Sequence, residues 1–172
     1  NGRAWNQEIG KKYARMPDRM EKTMPKAVWR LSRQSAGLSV LFRTNSEEIS
    51  VRFKVTNVTP SYRNMTPLNH SGVDLYAMDA DGSWHWIGNH MKYSYPKQNG
   101  DTLTFDFKGI KPRHFGKRGL EYRLILPMYN TVTWLEVGVS EGKTFQFFRE
   151  SQEKPLVAYG PSILHGASPS RP

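Results

Sequence analysis

The chain has 172 residues, a formal net charge of +10, 37% apolar residues and 12% aromatic residues. That suits one ordinary domain with its own core and excludes a disordered or fibrous chain. No apolar stretch approaches the roughly 18 residues of a membrane-spanning helix, so no span is expected. The absence of cysteine removes disulfides, thiolate metal sites and cysteine nucleophiles.

The charge is uneven. Residues 1–33 hold nine Lys or Arg against three acids, while the remaining residues hold 16 against 12. A basic lead-in ahead of a nearly balanced body is not the footprint of a nucleic-acid domain. RNP aromatics, zinc-finger spacing and a basic-plus-heptad pattern are all missing, so no nucleic-acid partner is expected. The chain starts without an initiator Met or a hydrophobic signal stretch, as a processed or trimmed chain would. Lack of cysteine accords with export, and a periplasmic or extracellular location is the expectation.

Residues 1–25 read as an irregular lead-in with one helical turn. Met16, Met20 and Met24 recur every four residues, but Pro17 and Pro25 interrupt the run, so the Met side chains are expected to cap the edge of a core. From Ala27 the period becomes two. Leu38, Val40 and Phe42 alternate with Ser39, Leu41 and Arg43. After Thr44-Asn45-Ser46, the residues Ile49, Val51, Phe53 and Val55 alternate with Ser50, Arg52 and Lys54. A long loop is predicted over 57–71, a strand over 73–78, a turn at 79–82 and an antiparallel return over 84–88. Leu103, Phe105 and Phe107 form another strand, and 108–119 a basic loop. Strands follow over 120–126, 132–139 and 144–149, separated by turns at 127–130 and 140–142. Eight or so short strands without a confident long helix predict an all-β, antiparallel β-sandwich of jelly-roll type over 26–149.

Residues 150–154 read as a polar linker. Pro155-Leu-Val-Ala-Tyr159 is a short continuous apolar run, as in a buried parallel strand, and it opens onto Gly160-Pro-Ser-Ile-Leu-His-Gly166. A strand that delivers a serine into a Gly-flanked turn can expose a nucleophile. The spacing is G-x-S-x-x-x-G, with Leu164 where an α/β-hydrolase elbow has its second glycine, so that elbow is not matched.

In its wider context, the stretch from Lys154 to Pro172 resembles the first sequence block of SGNH (GDSL-type) ester hydrolases, in the subgroup with a β-sandwich ahead of the catalytic domain. Gly72-Val-Asp-Leu-Tyr76 matches the G-x-D-L-Y signature of that leading domain. Ser35-Ala-Gly-Leu38 before Phe42-Arg-Thr-Asn-Ser46, and Leu126-Pro-Met-Tyr-Asn130 before Leu135-Glu-Val-Gly-Val139, match in the same order. The resemblance covers about residues 13–172. It implies that Ser162 is the nucleophile, with its backbone N–H in the oxyanion hole, and that a Gly and an Asn from later blocks complete the hole. It also implies a general-base His in a D-x-x-H arrangement near the C-terminus. The chain departs there: none of its six Asp and five His forms D-x-x-H. Pro161 stands where the family often has Asp or Thr. Residues 155–172 are therefore expected to be the truncated start of an α/β catalytic domain. An unactivated serine is a poor nucleophile, so the 172-residue chain is expected to be inactive alone, with the parent protein an ester hydrolase. The bland alternative for Ser162 is a helix N-cap after a strand.

Asp74 and Tyr76 share a strand face and are candidates for substrate contact, although a carboxylate there also suits internal hydrogen bonding. Trp84, His85, Trp86, His90, Tyr93 and Tyr95 form the densest aromatic stretch, suited to core packing, an interdomain face or stacking on sugars. Trp84, Trp86 and His90, with Tyr129 and Asn130 of the L-P-M-Y-N motif, complete the substrate-binding candidates. No metal and no cofactor are expected. His85 and His90 lack a third ligand for zinc, and Asp79, Asp81 and Gly82 lack the further ligands of a calcium loop and read as a hairpin turn. Asn57, Asn64 and Asn69 head formal glycosylation triplets that Asn-rich loops produce readily, and they carry no assignment.

The sequence thus predicts a noncatalytic leading domain of a serine esterase acting on acylated carbohydrate. Its partner is its own missing catalytic domain, and it contributes to substrate binding. The alternative is a free-standing carbohydrate- or protein-binding β-sandwich module. A strand over 156–159 that needs neighbours to bury it argues against that alternative.

Overall fold

The computed structural model describes residues 2–56, 62–88, 102–111, 120–148, 158 and 160–166. Among them are eight strands in chain order: β1 (Ser39–Thr44), β2 (Ile49–Val55), β3 (Asp74–Met78), β4 (Trp84–Gly88), β5 (Thr102–Phe107), β6 (Leu120–Ile125), β7 (Val132–Val139) and β8 (Phe145–Phe147). They form a five-stranded sheet in the order β4-β3-β6-β1-β8 and a three-stranded sheet in the order β5-β2-β7. The pairs are antiparallel throughout. Each strand overlaps a stretch read as strand from the sequence; β1 takes in Thr44, read as turn, and β5 begins one residue early at Thr102. The helices are few and short, and none is long and apolar enough to cross a membrane among the described residues.

Alternation puts the apolar half of β2, β3, β5 and β6 inward. Phe42 of β1, Val51 and Phe53 of β2, Leu75 of β3, Phe105 of β5 and Tyr122 and Leu124 of β6 are almost fully buried in one cluster supplied by both sheets. Phe42 pairs with Tyr122 across the β1–β6 ladder and lies between two rings, 5.4 Å from Tyr122 and 5.3 Å from Phe145. Phe53 meets Phe105 at 5.5 Å on the other sheet.

The sequence missed two helices. Helix α2 (Lys26–Ser32) occupies part of the segment assigned to a period of two. Pro25 sits just before it, where a missing N–H does no harm, and its carbonyl accepts from Trp29 N at 2.9 Å. Helix α3 (Pro67–Ser71) falls within the predicted long loop. The Thr66 hydroxyl accepts from Asn69 N, and Pro67 takes the first helical position, a Thr-Pro start that local capping favours. The lead-in contains the single turn α1 (Asn6–Ile9) and a 3-10 turn at Asp18–Met20, with Met16, Met20 and Met24 half-buried.

Much of the basic lead-in is structural. The Arg3 guanidinium donates to the carbonyls of Gly10 (2.6 Å), Lys12 and Ala14 (3.0 Å). Arg15 donates to Leu31 O (2.6 Å) and Gln34 O (3.2 Å), and Arg33 to Met16 O and the Asp18 carboxylate. Lys12 pairs with Asp18, and Arg19 with Glu8. These donors tie residues 3–19 to each other and to α2, which accounts physically for the local charge excess.

Candidate functional site

The motif at residues 72–76 can be derived position by position. Gly72 closes α3: its N–H donates to Leu68 O at 2.7 Å, and a Cβ there would lie 2.6 Å from that oxygen. Only glycine fits without moving backbone. Leu75 is fully buried in the core. Asp74 and Tyr76 lie half-buried on the opposite face, as their spacing predicts. There Asp74 Oδ1 accepts from Trp86 Nε1 at 2.9 Å, and Tyr76 stands opposite Trp86 on one side and Arg123 on the other. The Arg123 guanidinium lies 4.7 Å over the Trp84 ring. Trp86 is 43% exposed. Asp74, Tyr76, Trp84 and Trp86 therefore form one partly open aromatic and polar face, whereas His90, Tyr93 and Tyr95 lie outside the described residues.

Tyr129 and Asn130 belong to a second place, the seam between α3 and residues 127–130. Ser35 Oγ, fully buried, donates to Pro127 O at 2.6 Å, and Ser35 N donates to Asn130 O at 3.2 Å. Tyr129 N donates to His70 O at 3.1 Å, and Asn130 Nδ2 donates to Ser71 Oγ at 2.8 Å. Ser71 Oγ is 2.6 Å from His70 Nδ1. With one proton and two lone pairs, the Ser71 hydroxyl makes both bonds with either tautomer of the His70 ring. His70 is fully buried, and burial holds its pKa below the ordinary histidine range. His70 Nε2 and Asn69 Oδ1 have no hydrogen-bond partner among the described residues.

Against this seam sits the turn that carries Ser162. Helix α4 is one turn, Ser162–His165. Its first bond runs from His165 N to Pro161 O at 3.1 Å, so Ser162 is the first helical residue rather than the N-cap. A Cβ on Gly160 would lie 3.0 Å from Leu164 Cδ2, so a larger residue there requires the exposed Leu164 side chain to give way. The His165 ring lies flat on Tyr129, with centroids 4.4 Å apart and planes 13° from parallel. His165 Nε2 donates to Met128 O at 3.2 Å, and Asn69 Nδ2 donates to Gly166 O at 3.4 Å. Burial and the nearby Arg15 charge push His165 below the ordinary range, against the opposing pull of the Met128 carbonyl. Tyr62 stands edge-on to both His70 (5.3 Å) and Tyr129 (5.9 Å). Ile163 and Leu164, by contrast, are 90% and 55% exposed.

The structure thus divides the sequence-derived candidates between two places, and it adds Asn69, His70, Tyr62, Arg15 and His165 to the seam. The triplet headed by Asn69 is no acceptor for a glycan, because Asn69 is only 3% exposed. Asp79 and Asp81 behave as turn residues: Asp79 Oδ1 accepts from Ala80 N, and Asp81 Oδ1 from Ser83 N and Oγ. Among the described residues no three His, Cys, Asp or Glu side chains converge as a metal site would require. An open cleft of about 530 Å³ between β7 and β8 is lined by Tyr13, Val40, Leu135 and Phe145 among others, and by none of the candidate residues.

A family model described as GxDLY, the N-terminus of SGNH-hydrolase-type esterases, matches residues 1–145. No curated protein matches the chain. A solved GDSL-like lipase from Bacteroides ovatus is similar at 30% identity and a TM-score of 0.80, over 99% of this chain and 47% of that one. The chain therefore spans about half the length of this solved relative. The salicylyl-acyltransferase SsfX3 of a tetracycline biosynthetic pathway shares the fold, with a TM-score of 0.50 at 22% identity over 80% of this chain and 34% of that one.

Proposed function

This chain belongs to the GxDLY family, which forms the N-terminus of SGNH-hydrolase-type esterases, and from that premise we propose that it is the noncatalytic leading domain of a serine-dependent ester hydrolase. In this reading the two sheets form a jelly-roll-type β-sandwich over 26–149, behind a basic lead-in at 1–25. Residues 150–154 link it to a catalytic α/β domain that begins at 155–172. The observation that carries the reading is the seating of the Ser162 turn: His165 is stacked on Tyr129, while Ile163 and Leu164 stand bare beside it. Bare apolar side chains next to an anchored one mark a surface that a further partner covers, and the reading assigns that partner as the rest of the catalytic domain.

The chemistry follows from the serine. Its hydroxyl attacks an ester carbonyl while a histidine base takes the proton and backbone N–H groups hold the oxyanion. The ester C–O bond then breaks, the histidine returns the proton to the leaving alcohol, and water activated by the same base releases the acid from the acyl-serine. The D-x-x-H base is absent from these 172 residues, so the chain alone does not turn over. The proposed substrate class is acylated carbohydrate, with the location exported. The support for a sugar is the face of Asp74, Tyr76, Trp84 and Trp86, with His90 following it in sequence. A half-exposed indole offers a plane for pyranose C–H groups, and a carboxylate beside it accepts hydroxyl donors.

The test is hydrolysis of p-nitrophenyl acetate and release of acetate from an acetylated polysaccharide. The chain joined to its catalytic domain is expected to catalyse both, and Ser162→Ala to abolish both. The 172-residue chain is expected to show no turnover above its Ser162→Ala control. Turnover that survives Ser162→Ala overturns the reading.

A further inference from the structure

We propose that Tyr129 is a positioning residue for the nucleophile: its ring, with Asn69 beside it, fixes the turn that carries Ser162, so that the leading domain sets the geometry of a serine on the next domain. This rests on the proposed esterase reading and deepens it.

The contacts between the turn and the leading domain are few and specific. Tyr129 stacks on His165 at 4.4 Å, Met128 O accepts a hydrogen bond from His165 Nε2, and Asn69 Nδ2 donates to Gly166 O. His165 is the last residue of the single-turn helix that Ser162 opens. One turn of helix is too short to hold itself in water, so its orientation depends on what grips it.

The grip itself is rigid. Tyr129 is 7% exposed, and its N–H is bonded to His70 O. The backbone on either side of it is held by Ser35, through Pro127 O and Asn130 O. Asn69 is buried and capped by Thr66, at the start of a helix that Gly72 closes by close approach. The Ser162 turn is therefore referenced to strands β3 and β6, through the residues that precede and follow them.

Nucleophilic catalysis is sensitive to such referencing. Misplacing a reacting group by about 1 Å can cost on the order of 100-fold in rate. The phenol ring supplies the plane on which the imidazole lies. The stack needs the ring and not the hydroxyl, so phenylalanine can replace tyrosine, whereas leucine keeps apolar bulk and removes the plane.

Two measurements test the proposal. In the chain joined to its catalytic domain, Tyr129→Leu is expected to lower kcat for p-nitrophenyl acetate about 10- to 100-fold with KM nearly unchanged. Tyr129→Phe restores kcat, and Tyr129→Leu combined with His165→Ala costs no more than the worse single change, because both remove one contact. Additive losses, or a loss confined to KM, overturn it. In the 172-residue chain, the His165 ring protons are expected to resonate upfield, shielded by Tyr129, to lose that shift in Tyr129→Leu and to keep it in Tyr129→Phe. Absence of the upfield shift in a chain with an unchanged thermal midpoint overturns the stack itself. If the joined protein shows no Ser162-dependent hydrolysis, the esterase reading fails, while the ring shift still decides whether Tyr129 grips the turn.

Discussion

Trp86 donates its indole N–H to the carboxylate of Asp74 at 2.9 Å, joining the acidic residue of the Gly72–Tyr76 motif to the strand beside it. The bond holds an exposed indole in a fixed plane at the edge of the five-stranded sheet. If that plane binds sugar, Trp86→Ala abolishes retention on an acetylated-glycan array without a change in circular dichroism. Asp74→Ala weakens retention by releasing the ring. Unchanged retention in Trp86→Ala contradicts a sugar role for this face.

The glycine of the same motif is there for space. A Cβ at residue 72 would lie 2.6 Å from Leu68 O and 2.9 Å from Leu68 Cα, both backbone atoms that cannot swing aside. Gly72→Ala should therefore shift the end of α3 and destabilise the chain by about 1–3 kcal/mol, the usual cost of overpacking. Urea unfolding followed by tryptophan emission measures it. A change below about 0.5 kcal/mol contradicts the close approach.

The core prediction is larger. Phe42 is fully buried between Tyr122 and Phe145. Phe42→Ala should cost about 3–5 kcal/mol, enough to remove much of the stability of an ordinary domain. Denaturant midpoints of the two chains give the value.

Acid should loosen the seam. Burial depresses the folded-state pKa of both His70 and His165. The groups facing His70 are Tyr62, Tyr129, Ser71 and Asn130, and those facing His165 are Tyr129, Arg15 and the Met128 carbonyl. None is an acid that would reward protonation. Below about pH 6.5 the unfolded chain binds protons that the folded chain refuses, so stability falls as pH drops through that value. Thermal midpoints should decline between pH 7 and pH 5. An NMR titration should place both histidines below about 6.5. A value for His70 at or above it contradicts the buried, neutral ring.

The strands of the core were legible in the sequence because β2, β3, β5 and β6 each bury one face. Alternations such as Ile49, Val51, Phe53 and Val55 leave little choice of register once both sheets share a core. Helix α2 was not legible, since seven residues carry too little periodicity to outweigh the alternation that follows. Helix α3 carried a readable signal, Thr66 followed by Pro67, within a stretch whose Asn, Thr and Ser content argues for a loop. The aromatic face was legible as a cluster of neighbouring residues on paired strands. The seam was not, because Asn69, Tyr129 and His165 lie far apart along the chain and meet only once both sheets have formed. Tyr129 and Asn130, substrate-contact candidates in the sequence, lie in this seam, where Tyr129 stacks on His165 of the turn that carries Ser162 and Asn130 bonds Ser71.

In the proposed function, Ser162 becomes a nucleophile only when the leading domain and a catalytic domain act together. A fluorophosphonate probe reads this directly, because it bonds only to an activated serine. Peptide mass mapping should find the adduct on Ser162 in the chain joined to its catalytic domain and no adduct on the 172-residue chain. An adduct on another serine of the joined protein, or on Ser162 in the 172 residues alone, contradicts the account.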